Sequence, residues 1–372
     1  MPRSCSLLFA LLLAALVLPG CDLFQEDEDD ELSTPEGVVV GNLGRFGAQN
    51  GTLTFYDPQA GKVSGRRSVN ALVQNLALRD ERLYAVLNDG ADAGRIDVLS
   101  AEEDAYTRTG QVLFPRPPYA VAFDGDDRAY VPAQTLGEGN VATQSIVYEL
   151  TLDPLAIADS IPVGVQPVDA VVAEDKAFVS NRGSLGAGTT LSVIETGGEA
   201  ADALELGCDG PGALFADGED EVVVICQGKT VYDENFDVVD QTPGQVLFVD
   251  PEGETITRRL DGFDVQLGAA TYSKETEELF VTNGSDRVFR LDTDANARAS
   301  TIQVPPEEGL SGLGALAYDD ADRRLYLGRR DAGDPFSAAG TVAVYERTGA
   351  ETFERTGDFV AGIDPEAIVF RR

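Results

Sequence analysis

A five-residue phrase, LFVTN at 279–283 followed by RVFRLDT at 287–293, returns in altered form along the whole chain. AFVSN (177–181) leads to TLSVIET, VVVGN (38–42) to TLTFYDP, and LYLGR (325–329) to TVAVYER. LYAVLN (83–88), AYVPA (129–133) and VVVICQ (222–227) complete seven copies and precede RIDVLS, SIVYEL and QVLFVDP. A repeat of roughly 45 residues is one supersecondary unit that cannot bury its apolar face alone, so the copies must stack on one another. That overrides the length prior, under which a chain of 372 residues would suggest two domains.

Each copy also owns an opening strand rich in small residues: VQNLAL (73–78), YAVAFD (119–124), VDAVVA (168–173), GALFAD (212–217), GAATYS (268–273), LGALAY (313–318) and EAIVFR (366–371). With a last strand ahead of a Gly or Pro, the unit has the four strands of a propeller blade. The reading is therefore all-β, a seven-bladed β-propeller of four-stranded blades over 35–372. Ala and Gly suit the innermost strands, which converge on a central channel. The first copy starts on a second-type strand, and the last ends on an opening strand. The carboxyl-terminal strand is thus expected to close blade one and hide the sheet edges.

The chain carries 64 Asp plus Glu against 28 Lys plus Arg, a formal charge of -36. Such a field repels phosphate backbones, so no nucleic acid is expected as a partner. The acids are scattered and only four basic residues are lysines. This pattern resembles proteins of salt-loving bacteria, in which screening removes much of the self-repulsion. Histidine is absent, which excludes His general acid–base catalysis, Ser-His-Asp triads and His-ligated metals or haem from this chain. FDGDDRAY (123–130) and YDDADRRLY (318–326) cluster carboxylates. They fall where the turn between first and second strands belongs and lack the spaced oxygens of a Ca²⁺ loop, so neither a metal nor a cofactor is expected.

Residues 1–20, with Arg3 and an apolar run over 7–18, read as a signal peptide too short to span a bilayer comfortably. Leu18-Pro19-Gly20-Cys21 resembles the bacterial lipobox, in which the cysteine becomes the lipidated first residue of the mature protein. Residues 21–34 then form an acidic flexible tether, and the lipid holds the domain on a membrane without spanning it. The acidic run resembles a surface-export signal of some Gram-negative bacteria. Asp22 beside Cys21 follows the enteric rule for inner-membrane retention instead. Outer membrane or cell surface is the expected location, with the inner membrane as the alternative. Beyond the signal and the lipid site, Cys208 and Cys226 remain. An even pair in an exported protein suggests a disulfide, with two free buried thiols as the alternative.

LFVTN, AFVSN and VVVGN, with the RLDT and VIET strands that follow such phrases, resemble the YVTN-type, YncE-like β-propellers of bacterial surfaces and periplasms. The resemblance runs from about residue 35 to the end and implies a fold rather than an activity. Some propellers of this shape are surface lipoproteins that capture cobalamin and hand it to a TonB-dependent transporter. The expected function is a non-catalytic, lipid-anchored protein that binds a small molecule or docks a partner. Alternatives are cobalamin or other nutrient capture for such a transporter, a lactonase-like or quinoprotein-like enzyme, and an envelope scaffold. Asn42, Asn88, Asn181 and Asn283 are expected to shape strand-end turns, because Asn tolerates the left-handed conformation and bonds its own backbone.

The loops after the second strands vary most in length, and alternation sends them to one face. With the connections FPRPPYA and GIDPEA, that face gathers Arg45, Arg116, Arg182, Arg329 and Arg330, along with Phe46, Tyr119, Tyr232, Phe236 and Phe336. Arginine forks and aromatic bodies around a funnel suit a medium-sized polar or anionic ligand. The competing reading is that long loops are merely tolerated there.

Overall fold

The computed structural model describes residues 37–371 except 103–104, 136, 138–142, 218–220 and 236. The expected signal peptide, Cys21, the whole tether and Phe236 lie outside the described residues. What is described is nearly all strand: seven four-stranded antiparallel sheets and one two-stranded hairpin.

Each sheet is a blade packed on both faces by its neighbours. The second and third strands are therefore buried almost without interruption, as in Gly37–Asn42 and Thr52–Asp57, and do not alternate apolar and polar. Alternation survives on the outermost strands, such as Thr255–Leu260. Seven apolar clusters result, one between each pair of adjacent blades. Between blades five and six, Val223, Ile225 and Phe248 meet Leu279, Val281 and Phe289. Between blades seven and one, Tyr326, Val342 and Val344 meet Val38, Val40 and Tyr56.

The last cluster exists because the ring closes. Pro365–Arg371 pairs antiparallel with Gly37–Asn42, placing Val38 opposite Phe370, Val39 opposite Val369 and Val40 opposite Ile368. Blade one is thus assembled from both ends of the described chain, in the order fourth, third and second strand, then the closing strand.

Two details depart from expectation. The opening strand of blade three is only Ala122–Asp124, preceded by an isolated bridge from Pro118 to Ala133. Pro117 and Pro118 have no N–H to donate, which keeps the ladder from extending upward. The long segment after the second strand of blade five is not a plain loop: Thr230–Tyr232 pairs with Val238–Gln241 as an inserted hairpin. β-Branched residues favour it, and Asp233 Oδ1 accepts the Asn235 and Asp237 N–H groups at 2.8 and 3.0 Å to hold its turn.

The four asparagines do serve strand ends, by hydrogen bonding and without left-handed backbone. Asn42 Nδ2 donates to Thr52 O and Thr54 Oγ1 at 3.1 and 3.0 Å, and Asn181 Nδ2 donates to Thr190 Oγ1 and Ser192 Oγ, both at 3.0 Å. Asn283 Oδ1 accepts three N–H groups, from Ser285, Asp286 and Arg287. The structure also joins Cys208, ahead of the inner strand of blade five, to Cys226, which ends that blade's second strand, with Cα atoms 6.1 Å apart.

One buried ion cluster ties blade six to blade seven. Arg347 holds the Glu278 carboxylate bidentately, Nη1 to Oε2 at 2.5 Å and Nη2 to Oε1 at 2.9 Å, and Arg290 bonds the same carboxylate from within its own blade. Burial pushes the Glu278 pKa up, but bonds from Arg347 and Thr276 and the charges of both arginines outweigh it and hold it below the usual range. A depressed carboxyl contributes stability above its unfolded pKa and loses it as pH falls through the folded value. Glu278→Gln should therefore cost about 3 kcal/mol near pH 7, since it leaves two buried cations short of an anion, and the variant's melting temperature should fall less steeply than wild type below about pH 4. Calorimetric melts from pH 7 to 3 read both effects; parallel curves would contradict the pairing.

Deleting residues 364–372 removes the closing strand's ladder and exposes the edge of Gly37–Asn42. The loss is on the order of 5 kcal/mol, and the truncated protein should aggregate or melt far below the intact one. A soluble truncation with an unchanged melting temperature would contradict the closed ring.

Candidate functional site: the channel mouth

Inner strands run from the loop-bearing face toward the opposite one, and their small residues leave room on the axis. Gly212, Ala213, Gly268, Ala269, Gly314 and Ala367 line a central cavity of about 900 Å³. Toward the far end the lining turns apolar and bulky, with Leu78, Phe215, Tyr318 and Phe370. At the mouth it is polar.

A simple register rule supplies that polarity. Asn181 faces its own blade at the end of the second strand of blade four, and the next residue, Arg182, lines the channel. By the same step Gln134 follows Ala133, Gln227 follows Cys226 and Arg330 follows Arg329, and all four following residues line the channel. Gln166 joins them from the connection into blade four.

A smaller chamber of about 290 Å³ opens sideways between blades four, five and six, lined by Arg182, Leu185, Gln227, Thr230, Tyr232 and Gln266. Its wall depends on Gly186, at φ +81°, where a Cβ would sit 2.4 Å from the Gly228 carbonyl oxygen. Glycine here lets the blade-four loop lie against the inserted hairpin.

The predicted face residues divide into groups. Tyr119, Arg182 and Arg330 line the channel, and Tyr232 lines the side chamber. Arg116 binds Thr135 in a neighbouring loop. Arg45 and Phe46 are exposed on the loop of blade one, and Phe336 is exposed on that of blade seven. Arg329 does not face the mouth: it is buried, its Nη1 donating to Glu307 Oε1 at 3.0 Å and Pro305 O at 3.2 Å. The period-two alternation that aims Arg330 inward turns Arg329 into the blade.

Sequence reasoning missed the glutamines and two carboxyls. Asp169, third in the inner strand of blade four, accepts the Leu214 and Ala170 N–H groups, each at 2.9 Å, and burial without a cation partner pushes its pKa up to about 7. Glu366, second in the closing strand, is also pushed up to about 7. Burial is the main cause and the Asp364 charge adds to it, against the pull of Arg330 and Arg182. Its side chain touches channel space yet lies deep among protein atoms, so water reaches it without solvating it fully. Arg330 bonds Asp364 and reaches Glu366 Oε2 at 3.9 Å. The available signal was the register: acids at the second or third position of an opening strand face the axis.

Raised carboxyls reverse the usual acid dependence. Between about pH 4 and 7 the folded protein binds more protons than the unfolded chain at these two groups, so they make stability fall as pH rises across that window. Glu366→Gln should raise the melting temperature at pH 7.5 and leave it nearly unchanged at pH 4.5. An equal effect at both pH values would contradict the assignment.

No protein-family model matches the chain, and no curated protein matches it by sequence. Solved structures do. A protein from Lactobacillus plantarum superposes with a TM-score of 0.63 at 16% identity, covering 90% of this chain and 99% of that one. A quinonprotein alcohol dehydrogenase-like protein from Bacteroides thetaiotaomicron gives 0.63 at 10% identity, covering 91% and 79%. A dihydro-heme d1 dehydrogenase gives 0.52 at 13% identity, covering 91% and 75%. At these identities the likeness concerns the fold: the chain is a seven-bladed β-propeller with quinoprotein-like propellers among its structural neighbours.

Proposed function

We propose that the protein is a non-catalytic binding protein of the bacterial envelope, anchored by lipid at Cys21, that captures a small ligand at the loop-bearing mouth of its channel. One observation carries the choice of face. Among the described residues, the nine exposed large apolar side chains all lie toward the mouth. Phe46, Leu185, Tyr232, Val238, Val239 and Phe336 sit on loops after second strands, and Leu113, Val165 and Val360 sit near the ends of fourth strands. The opposite face has short turns and exposed carboxylates such as Asp126. Apolar tips around a polar funnel suit the capture of a ligand and its presentation to a partner.

The anchor is supported by the lipobox-like Leu18-Pro19-Gly20-Cys21 and the acidic run behind it. A binding role is supported by the absence of histidine and by a mouth built from amides, arginines and tyrosines. Asp169 and Glu366 then act as hydrogen-bonding partners for the ligand.

Calorimetry with cyanocobalamin and panels of sugars and polar metabolites tests the face. For any compound bound, Tyr232→Ala or Gln227→Ala should weaken binding by about fivefold or more, and Asp126→Asn should leave it unchanged. Loss of binding only in the Asp126 variant would overturn the reading.

A further inference from the structure

Many arginines of this acidic chain are committed to an anion. Arg329 holds Glu307, Arg330 holds Asp364, Arg347 and Arg290 hold Glu278, and Arg258 holds Glu221. Arg182 is different. Among the described residues its guanidinium makes no hydrogen bond or ion pair, although its backbone is fixed by an N–H to Gln166 O bond of 3.1 Å. It stands where the channel mouth meets the side chamber and lines both.

The surrounding protein crowds this cation and pushes its pKa down against the charges of Glu366 and Tyr119, yet the side chain stays open to solvent at the mouth and no carboxylate bonds it. An exposed guanidinium fork with no bonded partner can take an arriving anion bidentately without first breaking a bond inside the protein. Groups that could bind the rest of a ligand are already aimed there. Gln227 lines both spaces, and Gln166 Oε1 is buried with no hydrogen-bond partner.

The valence of the anion follows from the other charges. Of the two described arginines that line the channel, Arg330 is committed to Asp364 and Arg182 is not, and Glu366 and Asp169 share the channel with it. A phosphate dianion would meet two carboxyls across the channel, whereas one carboxylate is matched by one guanidinium fork. We infer that Arg182 anchors a single carboxylate of a polar ligand, whose hydrogen-bonding body lies in the side chamber beside Gln227, Gln266 and Tyr232. This rests on the binding assignment of the same face.

A pH dependence follows. Glu366 faces Arg182, Arg330 and Asp364, while Asp169 faces no charged group and only the N–H groups of Leu214 and Ala170. Tyr119, also on the channel, is raised by burial and stays neutral. Near pH 6 the two acids are largely protonated and Arg182 dominates the site. Above pH 7 they add two negative charges, so carboxylate binding weakens as pH rises.

Glucuronate, gluconate and N-acetylglycine, each paired with its neutral amide, and glucose 6-phosphate are titrated into the purified protein at pH 6 and 8. At least one carboxylate should bind about tenfold tighter than its amide at pH 6, and glucose 6-phosphate should bind more weakly than that carboxylate. Arg182→Gln should erase the preference, and Arg182→Lys should keep part of it. Because Arg182 makes no side-chain bond, both variants should melt like wild type. The preferred carboxylate should lose affinity from pH 6 to 8, and lose less in Glu366→Gln. No preference for any carboxylate over its amide, a preference that survives Arg182→Gln, or tighter phosphate binding overturns the inference. If amides bind as well as acids and Gln227→Ala weakens both, the face stands and only the carboxylate is wrong. If nothing in the panel responds to Gln227 or Tyr232, the face itself is wrong.

Discussion

Antiparallel pairing of Gly37–Asn42 with Pro365–Arg371 decides what every other strand can do. Without it, blade one lacks an inner strand, and the cluster of Tyr326, Val342, Val38 and Val40 loses a wall. The closing strand also carries chemistry: Glu366 stands in the channel, and Asp364, just ahead of it, receives Arg330. Closure and the polar mouth thus share the same few residues. Local ladders elsewhere form between strands near in sequence, but this one joins positions more than three hundred residues apart and must come after a large loop closure.

The electrostatic design follows from burying charge in a chain of net charge -36. Most buried arginines meet carboxylates inside blades or between them, as with Glu278 between Arg290 and Arg347. Such groups fix the relative placement of neighbouring blades more than they add net stability. The channel departs from the pattern, holding a cation that no carboxylate bonds and carboxyls without full partners. Sites that depart from local satisfaction in this way are where function concentrates.

Much of this was legible in the sequence. The seven second and third strands fall within a residue or two of where LFVTN-like and RLDT-like phrases place them, because blades buried on both faces demand unbroken apolar runs. The closing strand was legible from which strand types begin and end the repeat. The mouth was read less well. Residue type singles out Arg182 and Tyr119, which do line the channel, but it singles out Arg329 equally, which is buried, since type carries no information about which way a strand end alternates. Pairing register resolves that, and with it Gln134, Gln227 and Glu366 come into view. The inserted hairpin stayed hidden because its strands are three and four residues long, too short for a periodic signal.

The central claim is that a closed ring holds the mouth together, and amide hydrogen exchange tests it most directly. The N–H groups of Val38–Val40 and Ile368–Phe370 that donate across the ladder should exchange as slowly as those of Val223–Ile225 in the middle of the ring, through global unfolding alone. Exchange of the terminal pair orders of magnitude faster than the internal one would show blade one opening independently, and would contradict the account.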